Sequence, residues 1–457
     1  MDRFDIAVIG AGAAGEAATH LAAGRGARVV VVDRELFGGA CPFWACMPSK
    51  ALLHAAAVHH AGGAYEWRRA SDFRDYMINR ERTDWPDDGG HVRALEGAGA
   101  TVVRGSARFI GPGLLEARHE ETVHRLEADK VILAIGSVPR IPSIPGLDRV
   151  EYWTNREGTA TRDLPRSLLI MGGGPTGVEL AQVYARYGVP TTLIDSNPRI
   201  NSRDHPRSSE ILAAALERDG VTIRTGVRAQ RVRPAAGEEA DHALELSDGS
   251  SVEGQRILVA IGRSLPLDGM ELAAIGVTPR DGRLDVDDRL RVADNVFAAG
   301  DVAGPELHTH LAHYEGELAA RLALGDDVTP DLRAIPRATY TDPETASVGL
   351  QLEQARARGM DAIELTEDLA TTAKGYVSEA QGHVSIVIDR RSRTLAGAFM
   401  AGPGVSEAIH EAVLALKLGT PMEVLADTIH AFPTVARVLG SLFTRAEREI
   451  AAGSGQG

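Results

Sequence analysis

Only two cysteines stand among 457 residues. A disulfide scaffold would use more thiols and spread them along the chain, so that class is excluded. Aromatic residues make up just 5%, and no run approaches the roughly 18 uninterrupted apolar residues of a membrane-spanning helix. No membrane partner is expected. Positive charge is in deficit: 49 Lys and Arg against 63 Asp and Glu leave a formal charge of −14. With no segregated basic patch, that balance repels a phosphate backbone and argues against nucleic-acid binding. The opening residues carry Asp2 and Asp5 ahead of a short apolar stretch, unlike a secretory leader, and the expected compartment is the cytoplasm.

What is present is the composition of a globular α/β protein: 44% hydrophobic residues, 25% charged residues and 49 glycines. The length suits about three domains.

The apolar run 5–9 reads as a strand, followed by Gly10-Ala11-Gly12-Ala13-Ala14-Gly15 and an alanine-rich helix to about Gly24. A second strand over 27–32 ends at Asp33. The same order returns at 167–171, with the turn Gly172-Gly173-Gly174-Pro175-Thr176-Gly177, a helix through Tyr187, a strand over 191–194, then Asp195. In both units the first glycine precedes the acid by 23 positions. Glycines let the backbone approach a pyrophosphate, the helix N-terminus offers free N–H groups, and the acid takes ribose hydroxyls. Gly10, Gly12, Gly15 and Asp33 are therefore expected to hold one dinucleotide, and Gly172, Gly174, Gly177 and Asp195 a second.

Between the units, the charged stretch 65–97 reads as helical, with strands over 101–103 and 131–134. The second strand closes on Ile135-Gly136-Ser137, and Gly262 ends a comparable strand, Ala260-Ile261-Gly262-Arg263. From about Ala334 the pattern changes to strands over 384–388 and 395–399 with helices over 406–418 and 434–443, an α+β domain. Residues 451–457 read as a small, flexible tail.

Cys41 and Cys46 lie in Gly38-Gly39-Ala40-Cys41-Pro42-Phe43-Trp44-Ala45-Cys46-Met47-Pro48-Ser49-Lys50, shortly after Asp33. Pro48 suits the first turn of the following helix, which sets Cys46 at a helix N-terminus, where positive potential favours the thiolate. Lys50 falls within one turn of it. The two thiols read as a local redox pair or as two unrelated thiols.

These pieces, together with GGGPTGVE, AIGR, NVFAAGDVAG and TYTDPETASVG, resemble the flavoprotein disulfide reductases, which include dihydrolipoamide dehydrogenase, glutathione reductase and mercuric reductase. The resemblance implies a discontinuous FAD domain over 1–150 and 270–332, a nicotinamide-nucleotide domain over 151–269 and a C-terminal dimerisation domain over 333–450. It implies FAD on the first unit, contacted by Asp33, Gly39, Gly136, Asp301 and Ala312, and NAD(P) on the second, contacted by Gly262. By it Lys50 and Glu179 form an ion pair beside the flavin. Electrons run from nicotinamide to flavin to a Cys41/Cys46 disulfide, Cys46 facing the flavin and Cys41 exchanging with substrate. A homodimer is implied as well. Asp195 favours NAD by repelling a 2′-phosphate, although Arg199 stands four positions further on.

The family carries a His-Pro-Thr near its C-terminus, with a Glu three residues past the Thr, as acid/base pair. The matching run here is His430-Ala431-Phe432-Pro433-Thr434-Val435-Ala436-Arg437, with Phe432 at the histidine position and Arg437 at the glutamate position. General acid–base catalysis is worth roughly 10²–10⁴-fold, so ordinary disulfide exchange should be crippled unless another group serves, and His430 is the nearest candidate. No further cysteine pair exists to receive mercury. Pro42, Phe43 and Trp44 form either an apolar wall over the disulfide or plain packing. His308, His310 and His313 lack a completing ligand set beyond Glu306 and Glu315, and no metal is expected.

Three functions follow: an FAD-dependent oxidoreductase acting on a small disulfide or dithiol, a flavin reductase passing electrons to a quinone or similar acceptor without the cysteines, or a redox-responsive protein that binds FAD and NAD without turnover.

Overall fold

The computed structural model describes residues 2–81, 84–237 and 240–454. Its first sheet runs in the order Arg291–Ala293, Val296–Ala298, Thr122–Leu133, Asp2–Ile9, Val29–Asp33, Thr101–Arg104. The four strands from Thr122–Leu133 to Thr101–Arg104 are parallel, as is the pairing of Val296–Ala298 with Thr122–Leu133. Val29 to Val32 are buried throughout, because helices and an antiparallel extension cover both faces and leave no polar side to the strand. Helices Ala13–Gly24 and Thr309–Ala323 cross on one face through Ala14, Ala18, Ala22, Ala319 and Ala320. Gly316 permits that approach, since a Cβ there would sit 2.2 Å from the Ala14 carbonyl oxygen.

The second unit is a four-stranded parallel sheet in the order Val221–Thr225, Thr191–Asp195, Leu168–Met171, Arg256–Val259. Helix Pro175–Arg186 packs on it, and a three-stranded antiparallel sheet spans residues 229–254. The C-terminal part is a five-stranded antiparallel sheet, ordered Arg337–Thr339, Glu344–Gly349, Thr394–Gly402, His383–Asp389, Ala362–Asp368. Helices Val405–Leu418 and Val435–Ser454 close its core. This is a mixed α/β architecture with two dinucleotide-type units and an α+β C-terminal part. Among the described residues no helix is long and apolar enough to cross a membrane.

Two expectations are adjusted. The charged stretch 65–97 holds two helices, Trp67–Met77 and Gly89–Gly97, divided where Asn79 takes a positive φ and Pro86 follows. The last helix continues to Ser454, through small residues that were expected to be a flexible tail. Residues 455–457 lie outside the described residues.

Candidate active site

The two glycine turns are built alike. At Gly10, with φ +99°, a Cβ would lie 2.3 Å from the Ala134 carbonyl oxygen, and at Gly15 one would lie 1.9 Å from that of Gly10. Gly172, with φ +111°, and Gly177 repeat this at 2.3 Å from Ala260 and 1.9 Å from Gly172. The middle glycines differ. Gly174 meets nothing within 4 Å, and Gly12 meets only the Gly39 Cα at 3.8 Å. Each caps a helix without a side-chain hydrogen bond, so no capping side chain competes for the first-turn N–H groups. Both cradles therefore fit a dinucleotide pyrophosphate. Gly39, with φ +73°, borders the first turn, and a Cβ there would lie 2.6 Å from the Gly12 Cα.

The acids tie their turns together. Asp33 Oδ2 accepts from the Ala11 N–H at 2.7 Å and Oδ1 from Glu35 at 2.8 Å. Burial pushes its carboxyl above the usual range while those N–H groups oppose the shift. Asp195 accepts from Gly173 at 2.5 Å and from both nitrogens of Asn197 at 2.6 and 2.8 Å. Arg199 is turned onto its own loop, donating to the carbonyls of Ser202 at 2.9 Å and Asp204 at 3.1 Å.

Gly136 and Gly262 both take positive φ with open space at the Cβ position. Ser137 donates to Asp301, and Arg263 joins them through Ser137 Oγ at 2.5 Å and Asp301 at 3.8 Å. Ala312 stands in the first turn of helix Thr309–Ala323, its Cβ 3.2 Å from where one on Gly300 would be. The Gly300 N–H donates to Glu315 at 2.9 Å, and burial pushes that carboxyl up to about 7. Sequence reading found Glu315 only as an incomplete metal ligand.

Cys41 lies in the short helix Ala40–Trp44 and Cys46 opens helix Cys46–His60. Both are free thiols. Cys46 Sγ is 3.4 Å from Thr309 Oγ1. A hydrogen bond from Cys41, then one from Thr309 and the charge of Lys50, hold Cys46 down to about 6 against the effect of burial. The same partnership and burial push Cys41 up. These shifts bias the pair toward a thiol at Cys41 and a thiolate at Cys46.

Lys50 Nζ is 2.8 and 3.0 Å from the carboxylate oxygens of Glu179, which is buried in helix Pro175–Arg186. Tyr340, missed in the sequence, donates its N–H to Glu179 at 3.1 Å and sets its ring 4.6 Å from the Lys50 ammonium. The only signal was its place in the TYTDPETASVG match.

Phe43 and Trp44 are 1% and 5% exposed and pack with Leu36 and Ile78, which decides between wall and packing in favour of packing. His430 is buried, its Nε2 2.7 Å from Glu411 and its Nδ1 side against Gly440, where a Cβ would come within 2.4 Å. Its Nε2 is thus engaged inside its own domain. Phe432 is 73% exposed. His308 pairs with Glu306 at 3.3 Å and stacks on His310, while His313 is exposed. Among the described residues no group of three or more His, Cys, Asp or Glu is placed to hold a metal ion.

Comparison with known proteins agrees with this geometry. Residues 4–316 match the pyridine nucleotide-disulphide oxidoreductase model and residues 335–442 its dimerisation domain. The chain is 32% identical to a dihydrolipoyl dehydrogenase of Halobacterium salinarum, covering 94% of each. It is 34% identical to a mercuric reductase of Streptomyces lividans, covering 95% of this chain and 94% of that one. Among solved structures, the HOCl-induced flavoprotein disulfide reductase RclA of Escherichia coli, as its Cu(II) complex, superposes with a TM-score of 0.88 at 24% identity, a likeness of fold. It covers 97% of this chain and 99% of that one. LpdA of Mycobacterium tuberculosis does so at 0.86 and 26% identity, with the same coverage. Two glycine cradles, a cysteine pair beside the first and matches spanning nearly the whole length make this chain a member of the class I pyridine nucleotide-disulfide oxidoreductases, FAD-dependent enzymes.

Proposed function

We propose that this enzyme moves electrons between a nicotinamide nucleotide on the 172–177 turn and the Cys41/Cys46 pair, and that a small disulfide or dithiol exchanges with Cys41. The observation that carries the reading is the placement of Cys46, at the start of one helix and against the first residue of another. FAD on the 10–15 turn supplies the two-electron relay between nicotinamide and sulfur. Lys50 and Glu179 hold opposite charges at fixed distance beside that relay, and Asp301 with Ser137 and Arg263 fixes the turn leading into helix Thr309–Ala323. In this reading Gly39, Gly136 and Ala312 face the FAD, and Gly262 faces the second nucleotide.

His430 holds the 430–434 segment to Glu411 in this reading and is not the base. Cys46 takes that part. Its thiolate accepts the Cys41 proton as the Cys41 sulfur attacks a substrate disulfide and a substrate thiolate leaves. The leaving thiolate then takes that proton from Cys46, which attacks the mixed disulfide, re-forms the Cys41/Cys46 bond and expels the second thiolate. A low pKa at the second substrate thiol suits this scheme, since that thiolate leaves without an acid.

NAD is the preferred nucleotide, because Asp195 would face a 2′-phosphate while Arg199 is engaged by its own loop. The dimerisation domain supports a homodimer, and the cytoplasm is the proposed compartment.

Anaerobic stepwise titration with NADH tests the reading. New titratable thiols together with long-wavelength absorbance support it. Flavin bleaching without new thiols would overturn it and favour direct transfer to a quinone-like acceptor, a second reading that Phe432 at the histidine position keeps in play.

A further inference from the structure

We infer that Tyr340 is a positioning residue for hydride transfer between the nicotinamide and the flavin, acting through the Lys50–Glu179 pair; this rests on the function proposed above. Tyr340 follows strand Arg337–Thr339 of the C-terminal sheet, so a third domain reaches the ion pair. It does not arrive alone. The Asp342 N–H donates to Gln182 Oε1 at 2.7 Å, Gln182 Nε2 donates back to the Asp342 carbonyl at 2.8 Å, and Arg186 pairs with the Asp342 carboxylate at 2.9 Å. Glu179, Gln182 and Arg186 are spaced three and four residues apart, one face of helix Pro175–Arg186. Segment 340–342 grips that whole face.

Within the grip the two parts of Tyr340 do different work. Its N–H fixes one Glu179 oxygen, and any side chain at this position keeps that bond. Its ring lies over the ammonium that Glu179 and Ser49 contact from other directions, at 2.8 to 3.3 Å. A ring face attracts a cation and keeps it ordered with little cost in hydration. Removing the ring frees Lys50 to swing while Glu179 stays in place. The hydroxyl has no part in this, so phenylalanine should serve.

The experiment compares FAD-loaded wild type with Tyr340→Phe, Tyr340→Leu and Tyr340→Ala. Two quantities are read: the rate constant for flavin reduction by NADH at saturation, alongside its half-saturation concentration, and the pH-dependent labelling of Lys50 by an amine-selective reagent, followed by peptide mass spectrometry. Expected for the Leu and Ala variants is reduction slowed about tenfold at saturation, with little change in half-saturation, as for loss of a contact of cation–π size. Lys50 should label faster in both, and Phe should restore both readouts. Wild-type values of both readouts in the Leu and Ala variants would overturn the inference, as would Phe behaving like Ala. If NADH fails to reduce wild-type flavin, the proposed function falls instead, and Lys50 labelling still decides the role of the ring. The Leu variant keeps bulk at the position, so loss of folding in Ala leaves the test intact.

Discussion

Cys46 Sγ lies 3.4 Å from Oγ1 of Thr309, a residue 263 positions further along the chain. Each residue opens its own helix, so the sulfur stands at one helix start and against the first side chain of another. With Cys46 held to about 6, the thiolate is present above that pH and takes up a proton below it. The long-wavelength absorbance of the two-electron-reduced protein should therefore fade as pH falls through about 6. Thr309→Val should move the midpoint up by about one unit, the size of a hydrogen bond to a charged group, and Thr309→Ser should restore it.

Glu315 gives a pH dependence of the opposite sense for a carboxylate. Burial raises its pKa in the folded protein from the ordinary 4.5 to about 7. Its contribution to stability is complete below the unfolded value and is lost as pH rises through the folded one. Melting curves between pH 4 and 8 should show wild type losing Tm relative to Glu315→Gln across that window. Parallel curves for the two proteins would show that burial of Glu315 does not shift its proton affinity.

In the proposed function, nucleotide choice rests on Asp195. Asp195→Ala should reduce the preference for NADH over NADPH in kcat/KM by about tenfold or more, since a repelled phosphate is no longer faced by a carboxylate. Arg199→Ala should change the ratio little, because its guanidinium donates to the Ser202 and Asp204 carbonyls of its own loop.

His430 and Gly440 should behave as one unit. Gly440→Ala forces a methyl against the imidazole and is expected to cost about 1–3 kcal/mol in chemical denaturation, the usual range for overpacking. Combined with His430→Ala, much of that cost should vanish, a coupling that a double-mutant cycle measures. An unchanged pH–rate profile in His430→Gln would agree with the clamp, whereas a vanished limb would restore His430 as the acid/base group.

The glycine turns, their acids and the cysteine segment were legible in the sequence because each is local: a positive φ, a helix start and a fixed spacing are written within about 25 residues. What local pattern cannot write is a partner from another domain. Glu179 could be named, but the Tyr340 contact depends on how two domains dock. The environment of His430 was hidden because Glu411 and Gly440, though in its own domain, lie on two different helices. The burial of Trp44, too, depends on residues as distant as Ile78 and Ala160.

The grip of residues 340–342 on helix Pro175–Arg186 bears on how this chain can be recombined. Boundaries drawn from sequence invite exchange of C-terminal modules between relatives, as if that part served assembly alone. Here the junction carries the backbone donor for Glu179, so a chimera cut before residue 340 imports a foreign neighbour to Lys50. On the proposed function, such a swap would retune the entry of electrons while meaning only to change the dimer.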